Sequence, residues 1–374
     1  MRKLAIVILN WNGKDMMLKY LPSVIANSVG DVIVADNAST DGSVEMLAEH
    51  FHEVPTIVLD KNYGFAGGYN KALAQLNDYE YYLLLNSDVE ILQKEWDKPL
   101  LEYMDAHPQC AACQPKLMSL RALQDMSAHK GDDDDKGEER AKGKSQGIPF
   151  EYAGAAGGFI DRYGYPFCRG RILSTVEDDN GQYDTIAPLL WATGAAILVR
   201  ASDWKASGGL DSRFFAHMEE IDLCWRLRLM GKSIVCIPDS TAYHLGGATL
   251  NQGNPHKTFL NFRNNLLMLY KNLPDGELDS VMRIRRMLDY VAAMQFLLKG
   301  DKANFDAVIK ARKEFGRIKE DFTPDRKKIQ STAATHSITE RMPISILFQY
   351  YIKGIRTFSE IDKRRGFKEE LKRS

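Results

Sequence analysis

Four apolar runs dominate the start of the chain: "LAIVIL" (4–9), "DVIVA" (31–35), "TIVL" (56–59) and "YYLLL" (81–85). None alternates with polar residues as a half-exposed strand would. Strands that stay apolar on both faces must be covered on both, as in a parallel sheet with helices above and below it. The intervening stretches fit, with helical periodicity expected over about 14–26, 42–51 and 65–76. The expected fold class is therefore α/β, with a Rossmann-like, mostly parallel sheet flanked by helices. In such sheets ligands bind beyond the carboxyl ends of the strands. All four runs end there in polar clusters: "NWNG", "DNASTDGS", "KNYGFAGGYN" and "NSDVE". A single cluster reads as a polar turn, whereas four in succession read as the rim of one site.

The rest of the chain divides unevenly. Residues 119–149, containing "GDDDDKGEERAKGK", are charged and poor in apolar residues, and the expectation is a disordered or engineered insertion. After it, "EYAGAAGGFIDRYGYPFCRGR" is rich in glycine and aromatics, a composition suited to loops near a ligand. Helices are expected near 219–230, 256–272, 277–299, 301–320 and 340–370. This gives an α/β unit over 1–254, which would carry the site, and a helical C-terminal region over 255–374.

The formal net charge of -1 conceals an asymmetry: residues 1–254 hold 24 Lys+Arg against 35 Asp+Glu, and residues 255–374 hold 25 against 15. Nucleic acid is not among the expected partners. The basic end, with "ISILFQYYIKGI", reads either as a contact with an anionic membrane surface or as packing on the catalytic unit or on a second copy in a homodimer. No run approaches the ~20 apolar residues of a spanning helix, and "LAIVIL" reads as a strand and not a leader. The expected location is the cytoplasm, extending to the inner face of the membrane if the basic end binds lipid. Five cysteines with a lone C-x-x-C at Cys110 and Cys113 fit a reducing compartment and a core strand.

In order and spacing, "ILNWNG", "VADNASTDGS", "NYGFAGGYN", "LLLNSDVE", "GGLDSRFFAHMEEIDLCWR" and "YHLGG" resemble the motifs of family-2 glycosyltransferases of the GT-A fold, in particular their rhamnosyltransferase-like branch. The resemblance spans roughly residues 3–272 apart from 119–149. It implies an inverting transfer of a hexose or deoxyhexose, rhamnose among them, from a dTDP- or UDP-linked donor to a glycan or lipid-linked glycan acceptor. It also implies a divalent cation, Mn²⁺ or Mg²⁺, held by Asp88 and His244, with Asn86 standing where the family's first aspartate is found. Asp36 falls at the position that recognises the base. Asn10, Asn12, Asn37 and Asn62 line the same pocket, and Gly64 and Gly67 let the backbone approach the nucleotide. Arg263 reaches toward the donor phosphates.

The segment "MEEIDLCWR" supplies the proton acceptor. Alignment with the family's acidic pattern puts Glu220 at the base position, with Glu219 the alternative. Asp222 is a third acid, but with Arg226 it forms an i, i+4 pair that also reads as a structural salt bridge. Two rivals remain. A nicotinamide-dependent dehydrogenase would need G-x-G-x-x-G after the first strand, where "NWNGKD" has one glycine. A nucleotide-sugar-binding scaffold protein is the other, motivated by Asn86 and by Glu220 in place of aspartate.

Overall fold

The computed structural model describes residues 2–129, 145, 147–246 and 253–363. The apolar runs are strands of one sheet: β1 (Arg2–Asn10), β2 (Asp31–Asp36), β3 (Thr56–Val58) and β4 (Tyr79–Asn86). β1 lies between β2 and β4, and β3 flanks β2, all parallel. Helices α1 (Lys14–Asn27), α2 (Ser43–His50) and α3 (Gly64–Leu73) make the crossovers. Strand order reverses at β1, so the crevice at the topological switch point opens beside Asn10.

The sheet continues through β5 (Val89–Glu90), β6 (Cys110–Ser119), β11 (Ala187–Pro188), β12 (Ala196–Arg200) and β13 (Ser233–His244) in the order β11-β13-β6-β12-β4-β1-β2-β3. β12 is antiparallel to both its neighbours, while β13 runs parallel to β6. The register of β13 jumps between Ile237↔Pro115 and Thr241↔Lys116. Pro238 sits in that bulge and Pro115 beside it, so the ladder loses its donors where the chain bends. The bend lets the last residues of β13 pair with β5 as well.

A smaller sheet packs alongside: β7 (Gly158–Asp161), β8 (Pro166–Cys168), β9 (Arg171–Ile172), β10 (Thr175–Val176) and β14 (Arg341–Met342), in the order β10-β9-β8-β7-β14. Gly158 is dictated by packing, since a Cβ there would stand 2.0 Å from the ring of Trp191.

Two expectations are corrected. The segment 119–149 is not wholly an insertion: Leu120–His129 is a helix with Leu120 and Leu123 in the core, and Ile148 and Phe150 are buried. The "DDDDK" run lies outside the described residues. Nor do the described residues of 340–370, which end at 363, form one continuous helix. β14 adds to β7 in parallel, and a π-helical turn follows at Phe348–Ile352. Ile346, Ile355 and Phe358 are buried, and Phe358 packs on Phe159, Phe167 and Tyr183. The apolar residues of "ISILFQYYIKGI" are thus partly consumed by packing on this chain. Cys110 and Cys113 are buried and free, and burial pushes both thiols up, as expected for core positions.

Because Phe358 anchors the C-terminal segment to the small sheet, Phe358→Ala is expected to cost about 3 kcal/mol. Equilibrium urea denaturation checks this; a midpoint unchanged from wild type would mean the segment is not part of the cooperative unit.

Candidate active site

The ends of β1 and β2 are cross-linked by their own polar side chains. Asp36, fully buried, accepts from Asn10 Nδ2 at 2.9 Å and from the Ser39 amide at 2.8 Å. Asn37 donates to Asn62 Oδ1 (3.0 Å) and to the Gly64 carbonyl (3.1 Å), and accepts from the Tyr63 amide. Asn12, at φ 50°, accepts from the Thr40 amide at 2.7 Å. All five expected pocket residues therefore meet on one rim. Asn10 Oδ1 is buried there without a partner, an acceptor left over in a place where a buried polar atom normally has one. Asp41 binds the Lys14 and Ser43 amides and so ties the starts of α1 and α2 together, while Gly42 takes the N-cap position of α2 at φ 81°.

Asp88 and His244 converge although 156 positions separate them. β5 pairs with the end of β13, His244 opposite Val89, and the Leu245 amide donates to the Asp88 carbonyl at 3.0 Å. This places His244 Nε2 3.1 Å from Asp88 Oδ1 and 3.3 Å from Asn86 Nδ2, with both Asp88 and His244 buried. Burial opposes charge on the imidazole, but the Asp88 carboxylate and, less strongly, Glu151 overcome it and push His244 up to about 10. Burial also acts against the Asp88 carboxylate, and His244 more than offsets it, leaving Asp88 below its ordinary value.

Glu151 escaped the sequence reading. It is buried, and its Oε1 lies 3.5 Å from His244 Nδ1, close enough for charge but not aligned as a hydrogen bond, so that Nδ1 has no partner. The signal was its place at the head of the glycine- and aromatic-rich stretch "EYAGAAGG".

The acidic pair opens the helix Glu219–Leu229 after a contorted loop in which Phe215, His217 and Met218 all have positive φ (67°, 71° and 73°). Such conformations cost about 1–3 kcal/mol per non-glycine residue and need external support. Asn264, buried in the helix Pro255–Asn272, supplies it by donating through Nδ2 to the carbonyls of Phe214, Ala216 and His217 at 2.8–3.0 Å. The Phe65 and Ala66 amides at the start of α3 bind the Phe215 carbonyl from the other side.

Glu219 is buried, and each of the two glutamates has one carboxyl oxygen buried without a partner. Burial pushes Glu220 up to about 7 against the backbone amides of Glu220, Ile221 and Met218. Burial, then Glu220, holds Glu219 well above the carboxylate range. Gly194, next to Ala195 whose carbonyl receives the Asn86 amide, lies against Glu220: a Cβ there would stand 3.7 Å from Glu220 Cβ. Burial, then the charges of Lys257 and His256, pulls the neighbouring His217 down to about 4.

Three expected roles change. Asp222 is fully buried and bound by Arg226 (2.9 Å), Lys271 (2.8 Å) and Asn272 (2.8 Å), so its carboxylate is committed to the fold and is removed from the catalytic candidates. Gly64 and Gly67 have a packing role besides the expected one: a Cβ on Gly64 would meet the Phe215 ring at 2.5 Å, and one on Gly67 would meet Tyr63 Cβ at 2.9 Å. Arg263 donates to the carbonyls of Arg213 and Phe214 at 3.3 and 3.1 Å and to Asn264 Oδ1, bracing the acidic loop from outside.

Residues 5–161 match the family described as glycosyl transferase family 2. This stretch is similar to a family-2 glycosyltransferase domain and makes up less than half of the chain. The chain is 25% identical over 223 residues to the N-acetylglucosaminyl-diphospho-decaprenol L-rhamnosyltransferase of Mycobacterium tuberculosis H37Rv, covering 57% of this chain and 66% of that protein's length. It is 41% identical over 54 residues to rhamnosyltransferase WbbL of Escherichia coli K12, covering 14% of this chain and 20% of that one. Among solved structures, GalNAc-T7 with UDP, GalNAc and Mn²⁺ superposes with a TM-score of 0.52 at 12% identity, covering 72% of this chain and 48% of that one. S. aureus TarS 1-349 in complex with UDP-GlcNAc gives 0.50 at 14% identity, over 88% and 90%. The α/β unit thus has the GT-A architecture.

Two outcomes follow. Asn264→Ala strands three carbonyls of a strained loop and is expected to destabilise the protein by about 2–3 kcal/mol, measured by thermal or denaturant unfolding. Folding raises Glu220 above its ordinary value of 4.5, so it favours the neutral acid; that contribution is intact below about 4.5 and lost as pH rises through about 7. Glu220→Gln should therefore be about 3 kcal/mol more stable than wild type at pH 8 and equal to it at pH 4, and equal stability at both values would show the carboxyl to be freely hydrated.

Proposed function

We propose that the protein transfers a hexose or deoxyhexose from a nucleoside-diphosphate donor to a hydroxyl of a glycan acceptor, with inversion at the anomeric carbon. The observation that carries the reading is the 3.1 Å approach of His244 to Asp88 at the carboxyl edge of the sheet, beside the Asp36 pocket and with two under-solvated glutamates at the next helix start. The relatives' names favour a deoxyhexose donor such as dTDP-rhamnose and a lipid-linked acceptor. The named neighbours, which hold UDP or UDP-GlcNAc, favour a UDP-hexose equally well on fold grounds.

A divalent cation fits this donor set. Among the described residues there is no cluster of three or more acidic, histidine or cysteine side chains of the metal-binding kind, so the protein offers two ligands, Asp88 and His244, with donor phosphate oxygens to complete the shell. One carboxylate, one imidazole and phosphate oxygens suit Mn²⁺ at least as well as Mg²⁺. His244 Nδ1 faces the Glu151 carboxylate at 3.5 Å; closing that gap to a hydrogen bond would let Glu151 orient a metal-bound imidazole. The ion, when bound, would neutralise charge on the departing diphosphate.

The protein's own groups do the rest. Asp36 and the asparagines around it hold the nucleoside at the β1–β2 rim. Glu220 takes the proton from the acceptor hydroxyl as that oxygen attacks opposite the diphosphate. A carboxyl near 7 is half ionised at neutral pH and strong enough as a base to take it. Glu219, held neutral more firmly, keeps a second negative charge away from the incoming oxygen.

Donor cleavage is expected to follow a rising pH limb centred near 7, lost in Glu220→Gln together with about 10³-fold of kcat, while Glu219→Gln keeps most of the rate. A larger loss in Glu219→Gln would reassign the base. Asp88→Ala and His244→Ala should abolish saturable Mn²⁺ binding by calorimetry, and Glu151→Ala should weaken it roughly tenfold. A panel of dTDP- and UDP-sugars, scored for diphosphate release, tests the transfer itself: binding without release in every case would favour a nucleotide-sugar-binding scaffold protein.

A further inference from the structure

The helix Asp275–Leu298 is inverted relative to an ordinary surface helix. Its inner side carries Arg285 and Asp289, both buried, in an ionic network that includes Arg312, Asn265 and the Tyr163 carbonyl. Its outer side carries Met287, Tyr290, Val291, Met294, Leu297 and Leu298, all exposed, with Val291 at 60% and Leu298 at 84%. The steps 287, 291, 294, 298 follow one face of an α-helix, making a continuous stripe about 17 Å long. Scattered exposed apolar residues need no explanation, but an aligned stripe outside an ionic inner face does.

The charges around the stripe say what covers it. Arg283 and Arg286 lie exposed at one end, and Lys299 and Lys302 at the other. The acids nearby are fewer: Asp301 is engaged with Asn304 as a helix cap, leaving Asp279 and Asp306. A second copy fits poorly. Pairing two stripes about a two-fold axis at Tyr290 and Val291 would set Arg283 against Leu298 and Arg286 against Gln295, with no carboxylate to meet either. Apolar side chains framed by cations on a basic half of the chain match a surface with hydrocarbon beneath and phosphate above.

We infer that this stripe lies in the headgroup layer of an anionic bilayer, its apolar residues directed toward the acyl chains and Arg283, Arg286, Lys299 and Lys302 among the lipid phosphates. The contact is peripheral: no described helix is long and apolar enough to cross a membrane. It is independent of the chemistry proposed above, though it would hold the active site close to a lipid-linked acceptor.

The test is flotation of the full chain with vesicles of phosphatidylglycerol and phosphatidylethanolamine, against vesicles of phosphatidylcholine alone. Wild type should float with the anionic vesicles and be released as salt rises from about 0.1 to about 0.5 M. Val291→Glu with Leu298→Glu should cut binding at least tenfold, while Arg283→Gln with Arg286→Gln should remove the preference for anionic lipid. Diphosphate release from the soluble donor and the thermal midpoint should be unchanged in both, which separates failure here from failure of the transferase reading or of folding. Equal flotation with both vesicle types, or binding indifferent to Val291→Glu with Leu298→Glu, overturns the inference. So does a wild-type dimer in sedimentation equilibrium that this double variant converts to monomer while vesicle binding persists.

Discussion

The pairing of β5 with the end of β13 is the contact on which the site depends. It consists of two residue pairs, Tyr243↔Glu90 and His244↔Val89, yet it joins the last turn of the parallel half of the sheet to the last strand of the other half. Without it, Asp88 would end a strand in solvent and His244 would end another. With it, a carboxylate and an imidazole share a low-dielectric pocket in which each sustains the other's charge. The bulge at Pro238 is what frees β13 to make this second partnership.

The second dependence is on the loop before Glu219. Three residues with unfavourable backbone angles are held by one asparagine from the following helix and two amides from α3. Backbone strain of this kind fixes direction: it turns the chain so that two adjacent glutamates begin a helix inside the protein and not at its surface. The cost is visible in the two carboxyl oxygens left without partners, and those unsatisfied oxygens are what raise the acids into a range useful for proton transfer.

Much of this was legible in the residues, and what was not has definite causes. Continuous apolar runs such as "YYLLL" forecast buried parallel strands, and the polar clusters after them forecast the rim, because both signals span several residues. Strands of two residues, β5 and β14, are too short to carry any periodicity, so neither the link between Asp88 and His244 nor the joining of residues 341–342 to the small sheet could be derived from pattern. Glycine signals only that something lies close, so "GFAGG" could not reveal that Phe215 and Tyr63 stand against Gly64 and Gly67. Asp222 was ambiguous between base and salt bridge, and its partners Lys271 and Asn272 lie some fifty positions away. Asn264 was detectable in principle: asparagine is a poor helix former, and "NFRNNLL" places three of them within one amphipathic helix.

Asn264 has an implication for how the protein is made. The strands bearing Asp36, Asp88 and His244 have all left the ribosome before residue 264 does, and chains synthesised from the amino terminus begin folding domain by domain as they emerge. Until the Pro255–Asn272 helix arrives, only the two α3 amides at the Phe215 carbonyl support the strained loop, and the carbonyls of Phe214, Ala216 and His217 lack the Asn264 amide that fixes the glutamate pair. A nascent polypeptide can therefore assemble the β1–β2 rim early while Glu219 and Glu220 stay unaligned, so that the candidate site is completed only late in translation.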